Sequence, residues 1–214
     1  FTYKDIPDYA DRPYTEINHN VPFFESVTTE NFEAYSDLDQ YGRCGACMMS
    51  ACMDTQPKEP RGEIGHVQPS GWQTVKYPDL IEDLYLYNRG HLLAHAISGK
   101  NDLETNLITG TRYMNMSGML PFEEKIISYL SDPQHEDDHV LYRVTPIFRK
   151  KELVARGVLM EAYSVEDEGE GICFNVFCYN VQPGIEINYT TGESQIADSY
   201  VKVPVAEGVE LETK

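Results

Sequence analysis

The apolar positions change rhythm several times along the chain. Residues 1–30 hold no sustained period. Pro7, Pro13 and Pro22 alternate with asparagines and with Tyr3, Tyr9 and Tyr14, which predicts an extended arm meeting the body near Val21-Pro22-Phe23. Residues 31–38 read as a short helix or turn, and Gly42, Gly45, Pro57, Pro60 and Gly62 punctuate a loop-rich stretch after it. Residues 81–87 alternate in part, Leu84 and Leu86 against Tyr85 and Tyr87, and predict a strand. From Pro121 to Leu130 the period becomes helical. Proline suits the first position, acids suit the first turn, and Phe122, Ile126, Tyr129 and Leu130 share one face. The remaining pattern is strand-like over 139–148, 153–165 and 171–181, with Val, Ile, Tyr and Phe between turn signals and a hairpin tip at 166–171. An acidic tail of little structure follows from Glu207. Loops and strands, one helix and then a β-meander predict an α+β domain around a central antiparallel sheet, spanning 31–206 between arm and tail.

Composition narrows the class. Of 214 residues, 41% are hydrophobic and 24% charged, which excludes a collagen, a coiled coil and a disordered chain. No apolar run approaches the ~18–20 residues of a membrane span, so no membrane is expected as a partner. Seventeen Lys and Arg stand against 35 Asp and Glu, a net charge of −18, which opposes a broad basic surface for nucleic acid. Cys44, Cys47 and Cys52 are spaced loosely like zinc ligands but have no regularly spaced fourth, and Met48, Met49 and Ala51 around them look like packing. Cys173 and Cys178 lie five apart in a strand-like run, on opposite faces, and read as buried thiols rather than a bridge. The chain begins at Phe1, as expected of a processed or trimmed form whose export signal is gone.

The most informative stretch is Asn88-Arg-Gly-His-Leu-Leu-Ala-His95. Gly90 is expected to turn the chain sharply at a strand end and present His91 at a rim beside Arg89, where a histidine near its ordinary pKa of ~6.5 takes a proton from water. Taken alone, a histidine beside two leucines is more commonly a core or surface residue. Residues on either side of this stretch change the balance. Asn106 and Asn115 are nine apart, Glu123 lies eight beyond Asn115 at the start of the predicted helix, and Arg61-Gly-Glu-Ile-Gly precedes Pro69-Ser-Gly-Trp72 upstream.

Together these residues resemble the DNA/RNA non-specific endonucleases of the ββα-metal (His-Me finger) superfamily, and most of all the secreted bacterial deoxyribonucleases of streptodornase type. The Val140-Leu-Tyr-Arg-Val-Thr and Phe174-Asn-Val…Asn180-Val-Gln-Pro-Gly184 runs also look like that branch, and the resemblance covers residues 41–194. It implies a ββα-metal motif on the sheet and secretion. His91 matches the general base that deprotonates water. Asn115 matches the single protein ligand of a divalent cation, magnesium with manganese as a substitute. Asn106 matches the asparagine that holds the histidine loop. Glu123 matches the acid holding one of the cation's waters, and Arg61 the arginine that neutralises the scissile phosphate. The implied reaction is phosphodiester hydrolysis of DNA, and of RNA, to 5′-phosphate ends. A neutral asparagine ligand leaves the ion its full charge, and one magnesium acidifies water too little at neutral pH, so the base falls to histidine. Many members carry aspartate where this chain has Asn88, so no carboxylate at that position tunes His91.

Several residues keep a plainer reading beside the functional one. His91 and His95 are four apart, but Leu92 stands where a zinc protease needs glutamate. His95 reads as a structural hydrogen-bonder. Arg89 is read as a substrate contact or equally as a carboxylate partner within the fold, and Arg112 as a surface ion pair before a nucleic-acid contact. Trp72 is a base-stacking platform or, more commonly, a buried anchor. An acid such as Glu123 in a first helical turn is favoured by the helix dipole alone. The rival functions are a catalytically silent binding module on the same scaffold and a toxin-type nuclease. The charge of −18 does not exclude a nuclease: beyond a Debye length of ~8 Å distant acids are screened, so Arg61, Arg89, Arg112 and a bound cation suffice as a local patch.

Overall fold

The structure, a computed structural model, describes residues 1–199. Along the chain run β1 (Tyr14–Glu16), β2 (Glu33–Tyr35), β3 (Cys47–Ala51), β4 (Tyr87–His91) and the short helix α1 (His95–Ser98). β5 (Leu107–Thr111) comes next, then a π-helical segment (Met114–Met119) continuing directly into α2 (Leu120–Leu130). β6 (Val140–Ile147), β7 (Gly157–Ser164), β8 (Cys173–Tyr179), β9 (Ile185–Ile187) and β10 (Ser194–Ile196) complete the order. Six strands make one antiparallel sheet in the order β1-β8-β7-β6-β3-β2, while β4–β5 and β9–β10 pair as separate two-stranded ribbons. The architecture is therefore α+β around a central antiparallel sheet, as the residue pattern predicts. Among the described residues no helix is long and apolar enough to cross a membrane.

Both faces of this sheet are covered, which is why its central strands are almost continuously apolar instead of alternating. Val158, Met160 and Ala162 of β7 point to one face with Tyr142, Val144, Phe174 and Val176. There they meet Phe122, Ile126, Tyr129 and Leu130, the four helix positions whose spacing marks them in the sequence. Leu159, Phe177 and Tyr179 point to the other face and pack with Tyr3, Ile6, Tyr9 and Ile17 of the N-terminal arm. Where the arm ends, the nearly buried Glu161 receives Arg143 through Nε and Nη2 at 2.7 and 2.9 Å, and the Phe23 amide at 2.8 Å. The arm thus does more than meet the body near Phe23: its β1 is the sheet's edge strand and its aromatics close the second face.

The β4–β5 hairpin stands off the sheet and is joined to it through Asn180, just past β8. Asn180 is fully buried. Its Oδ1 accepts from the Thr111 amide at 2.8 Å, and its Nδ2 donates to the Thr109 and Ala155 carbonyls at 3.0 and 2.9 Å. A buried amide satisfied on every side in this way fixes one orientation of the hairpin.

Other expectations are corrected by tertiary pairing. Residues 33–35 form edge strand β2 rather than a helix or turn, because β3 offers them a ladder. β3 itself lies in the stretch that reads as loop-rich, between its glycines and prolines. The strand expected over 81–87 starts only at Tyr87, since Leu84 adopts φ +70° and breaks the extended run. Gly90 is not a turn: it sits inside β4, opposite Ile108. The cysteines are all free thiols. Cys44 donates to the Glu104 and Leu107 carbonyls and Cys47 to Thr105, and burial pushes both thiols up to about 12, the state of packed thiols rather than zinc ligands. Cys178 is buried as expected, but Cys173 is exposed at the start of β8. The acidic tail from Glu207 lies outside the described residues.

Replacing Asn180 with Ala leaves one buried amide and two carbonyls without partners, at about 1–3 kcal/mol for each group. Asn180→Ala is expected to lose about 3–5 kcal/mol of unfolding free energy in urea titration, a shift well beyond that of surface substitutions.

Candidate active site

A cavity of about 830 Å³ opens between β4 and the helical segment, and Arg61, Arg89, His91, Asn115 and Glu123 all line it. Five of the six residues singled out in the sequence therefore converge. The sixth, Asn106, lies beneath the floor and is fully buried. Its Oδ1 accepts from the Leu93 amide at 2.8 Å, its Nδ2 donates to the Leu93 carbonyl at 2.9 Å, and its own carbonyl accepts from Leu92. Asn106 clamps the two residues after His91 and does not reach the cavity.

His91 closes β4 and is 7% exposed, not perched on a rim as the sequence suggests. Its tautomer is set by its partners. Nε2 lies 2.7 Å from the Asn101 carbonyl, which only accepts, so Nε2 carries the proton. Nδ1 lies 3.4 Å from Arg61 Nη2, which only donates, so Nδ1 keeps its lone pair on the cavity side. Burial lowers the imidazole's pKa to about 4, with the charges of Arg61 and His95 acting in the same direction and the Asn101 hydrogen bond opposing. The ring is consequently neutral throughout the physiological range.

Asn101 is a residue in contact with His91 that the sequence does not mark. Its carbonyl holds His91, and its side-chain Oδ1 accepts from the Gly62 amide at 3.0 Å, next to Arg61. The Gly99-Lys100-Asn101 turn is visible in the sequence, but no local signal indicates which distant groups it meets. His95 also differs from the structural hydrogen-bonder expected. No hydrogen bond among the described residues engages its ring, which lines the cavity 6.3 Å from that of His91. Its pKa is lowered by burial and by Arg61.

Asn115 and Glu123 come from the helical segment, which starts earlier than Pro121. Eight residues overshoot two α-helical turns by about 80°. The π-helical segment is wider per turn and takes up roughly that excess, so Asn115 and Glu123 reach the same cavity wall. Burial, with Glu124 adding, pushes the half-buried Glu123 carboxyl up to about 8, and Arg61 opposes. No hydrogen bond among the described residues reaches this carboxyl or Asn115 Oδ1. Two oxygen groups on one wall, one of them an acid that makes no salt bridge among the described residues, fit a hard divalent cation and its waters. Among the described residues no cluster of three His, Cys, Asp or Glu offers an alternative metal site.

The three arginines differ in how they are held. Arg61 is exposed, and its Nη2 lies against His91 Nδ1. Arg89 donates from Nε to the Val67 carbonyl and from Nη2 to the Gly65 carbonyl at 2.8 Å, with its guanidinium 4.0 Å over the Trp72 ring. It is therefore held by carbonyls rather than by a carboxylate, and clamps the 64–67 loop while keeping its charge at the cavity. Trp72 is the anchor beneath it and packs in a small cluster with Ile81, Leu86 and Ile185. Arg112 pairs with Asp83, as expected. The cavity therefore gathers cationic groups in a chain of net charge −18.

Comparison with known proteins agrees with this geometry. The family profile "DNA/RNA non-specific endonuclease" matches residues 24–166, two thirds of the chain. This chain belongs to the DNA/RNA non-specific endonuclease family. A deoxyribonuclease of Streptococcus dysgalactiae subsp. equisimilis is 33% identical over 112 residues, which cover 50% of this chain and 32% of that protein. The chain thus spans about a third of the length of the relative it matches. Magnesium-bound NucA from Streptococcus agalactiae is 22% identical at a TM-score of 0.74, over 87% of this chain and 91% of NucA, and shares the fold. The zinc-bound Sda1 nuclease is 26% identical at a TM-score of 0.66, over 78% of this chain and 82% of Sda1.

The pKa of His91 carries a stability signature. The native ring titrates near 4 and the unfolded one near 6.5, so as pH falls from 6.5 to 4 the unfolded state alone takes up a proton. Native stability is expected to fall by up to about 3 kcal/mol over that window. Urea titrations in EDTA, wild type against His91→Ala, should give a shallower acid loss in the variant.

Proposed function

We propose that this endonuclease-family chain is a divalent-metal-dependent nuclease that hydrolyses DNA, and RNA, to 5′-phosphate ends, with His91 as general base. The observation that carries the reading is the fixed tautomer of His91, which keeps an available lone pair on Nδ1 facing the cavity. Nδ1 takes the proton of the attacking water as that oxygen forms its bond to phosphorus, and the bond from phosphorus to the 3′ oxygen breaks. The leaving oxygen takes its proton from solvent. Arg61 rests on Nδ1 in the absence of substrate. A phosphate draws the guanidinium to itself, which uncovers the lone pair and removes one of the charges that depress the ring's basicity. Asn115 would hold the cation, magnesium or manganese, and Glu123 one of the cation's waters. When bound, the cation polarises the phosphate and stabilises the developing charge. Asn106 and Asn101 keep the histidine loop in place, and Arg89 supplies local positive charge through the 64–67 loop. Secretion is part of the same proposal and rests on the resemblance to secreted deoxyribonucleases.

The test is digestion of plasmid DNA and of RNA with magnesium, with EDTA as the control. His91→Ala is expected to lose about 10²–10⁴-fold in rate while keeping its circular dichroism spectrum. Asn115→Ala should lose activity together with metal affinity, and EDTA should abolish wild-type cleavage. Because the base titrates near 4, the acid limb of the rate profile is expected well below pH ~6.5, the ordinary histidine value. A folded wild type that cleaves neither substrate with any divalent metal would leave the silent-module reading standing.

A further inference from the structure

The active-site cavity runs on past the chemistry. Its lining tracks β4 from His91 back through Arg89, Asn88 and Tyr87 to Tyr85, two residues before the strand. Tyr85 is a large aromatic that is 42% exposed, and among the described residues no other aromatic ring packs against it. It is not a loose surface residue. Leu84 before it holds φ +70°, a left-handed backbone that costs a leucine conformational energy. The turn is fixed by bonds from the Leu84 amide to Ile81 and from the Tyr77 amide to the Leu84 carbonyl, and Tyr85 bridges Lys76 across it. The Lys76 ammonium lies over one face of the ring, 4.7 Å from its centre, and Arg112, anchored by Asp83, lines the same cavity.

We propose that Tyr85 is a nucleobase platform, on which an unpaired base of the substrate strand stacks while Lys76 and Arg112 face its phosphates. The inference rests on the nuclease reading and goes beyond it, since it states which form of nucleic acid the site prefers. With Lys76 over one face, the exposed Tyr85 ring offers its other face to a base and has positive charge beside it for the backbone, the two features a single strand needs. In a duplex both faces of each base are covered by neighbours, so only an unpaired base can use the platform. Six residues of extended chain separate Tyr85 from His91, roughly 20 Å at ~3.3 Å per residue.

The test is steady-state cleavage of a short single strand and of its duplex with magnesium, for wild type, Tyr85→Ala and Tyr85→Phe, with urea midpoints to establish that all three fold. Tyr85→Ala is expected to raise KM for the single strand about tenfold. It should leave kcat within about twofold and duplex KM nearly unchanged, and Tyr85→Phe should behave as wild type. An unchanged single-strand KM in Tyr85→Ala, or equal shifts on both substrates, would overturn the platform while the nuclease reading stands. A folded wild type that cleaves neither substrate overturns both.

Discussion

The site depends on one strand end. β8 lies within the central sheet, and the buried amide of Asn180 just past it ties that sheet to the β4–β5 hairpin through Thr109 and Thr111. The same strand fixes the helical wall. Gly118 in the π-helical segment sits so close to Cys178 that an added Cβ would lie 3.2 Å from the cysteine's Cβ. Hairpin and helix, which carry His91 and Asn115, are thus referred to a common origin at the end of one strand. A constellation contributed by separate elements needs such an origin, since catalysis tolerates little displacement of its groups.

Electrostatics depend on burial more than on residue counts. His91 is neutral because it is dry, and desolvation likewise pushes the Glu123 carboxyl up. Arg89 is held by carbonyls, which take its hydrogen bonds and leave its charge. The result is a positively charged cleft in a strongly acidic chain. The acids that dominate the composition are screened over the distances that matter to the substrate phosphate.

The residue pattern reveals the features that local physics determines. Helix α2 and strands β6 to β8 are legible because their apolar faces have a clear period and their ends carry turn residues. The convergence of Arg61, His91, Asn115 and Glu123 is legible through the combined motif, although no single piece of it would suffice. β2 and β3 are not, because each becomes a strand through its neighbour's hydrogen bonds. The same holds for Asn101, whose role comes from two partners 10 and 39 residues away. Arg89 is ambiguous in the sequence because nothing local to a guanidinium indicates whether carboxylate, phosphate or carbonyl will face it. His91 reads as a rim residue because its glycine suggests a turn, and the ladder to β5 overrides that preference.

The π-helical segment makes the site a matter of counting. The common direction of Asn115 and Glu123 comes from the number of residues between them together with the wide turns that take up the excess. A one-residue deletion that relaxed the segment to α-helix would leave seven residues, about 20° short of two turns, and keep Glu123 near its present direction, whereas an insertion that the wide turns cannot absorb would swing everything downstream by up to about 100° around the axis. Over evolutionary time this stretch should therefore lose a residue more readily than gain one, with Gly118, Met114 and Met119 held by their packing.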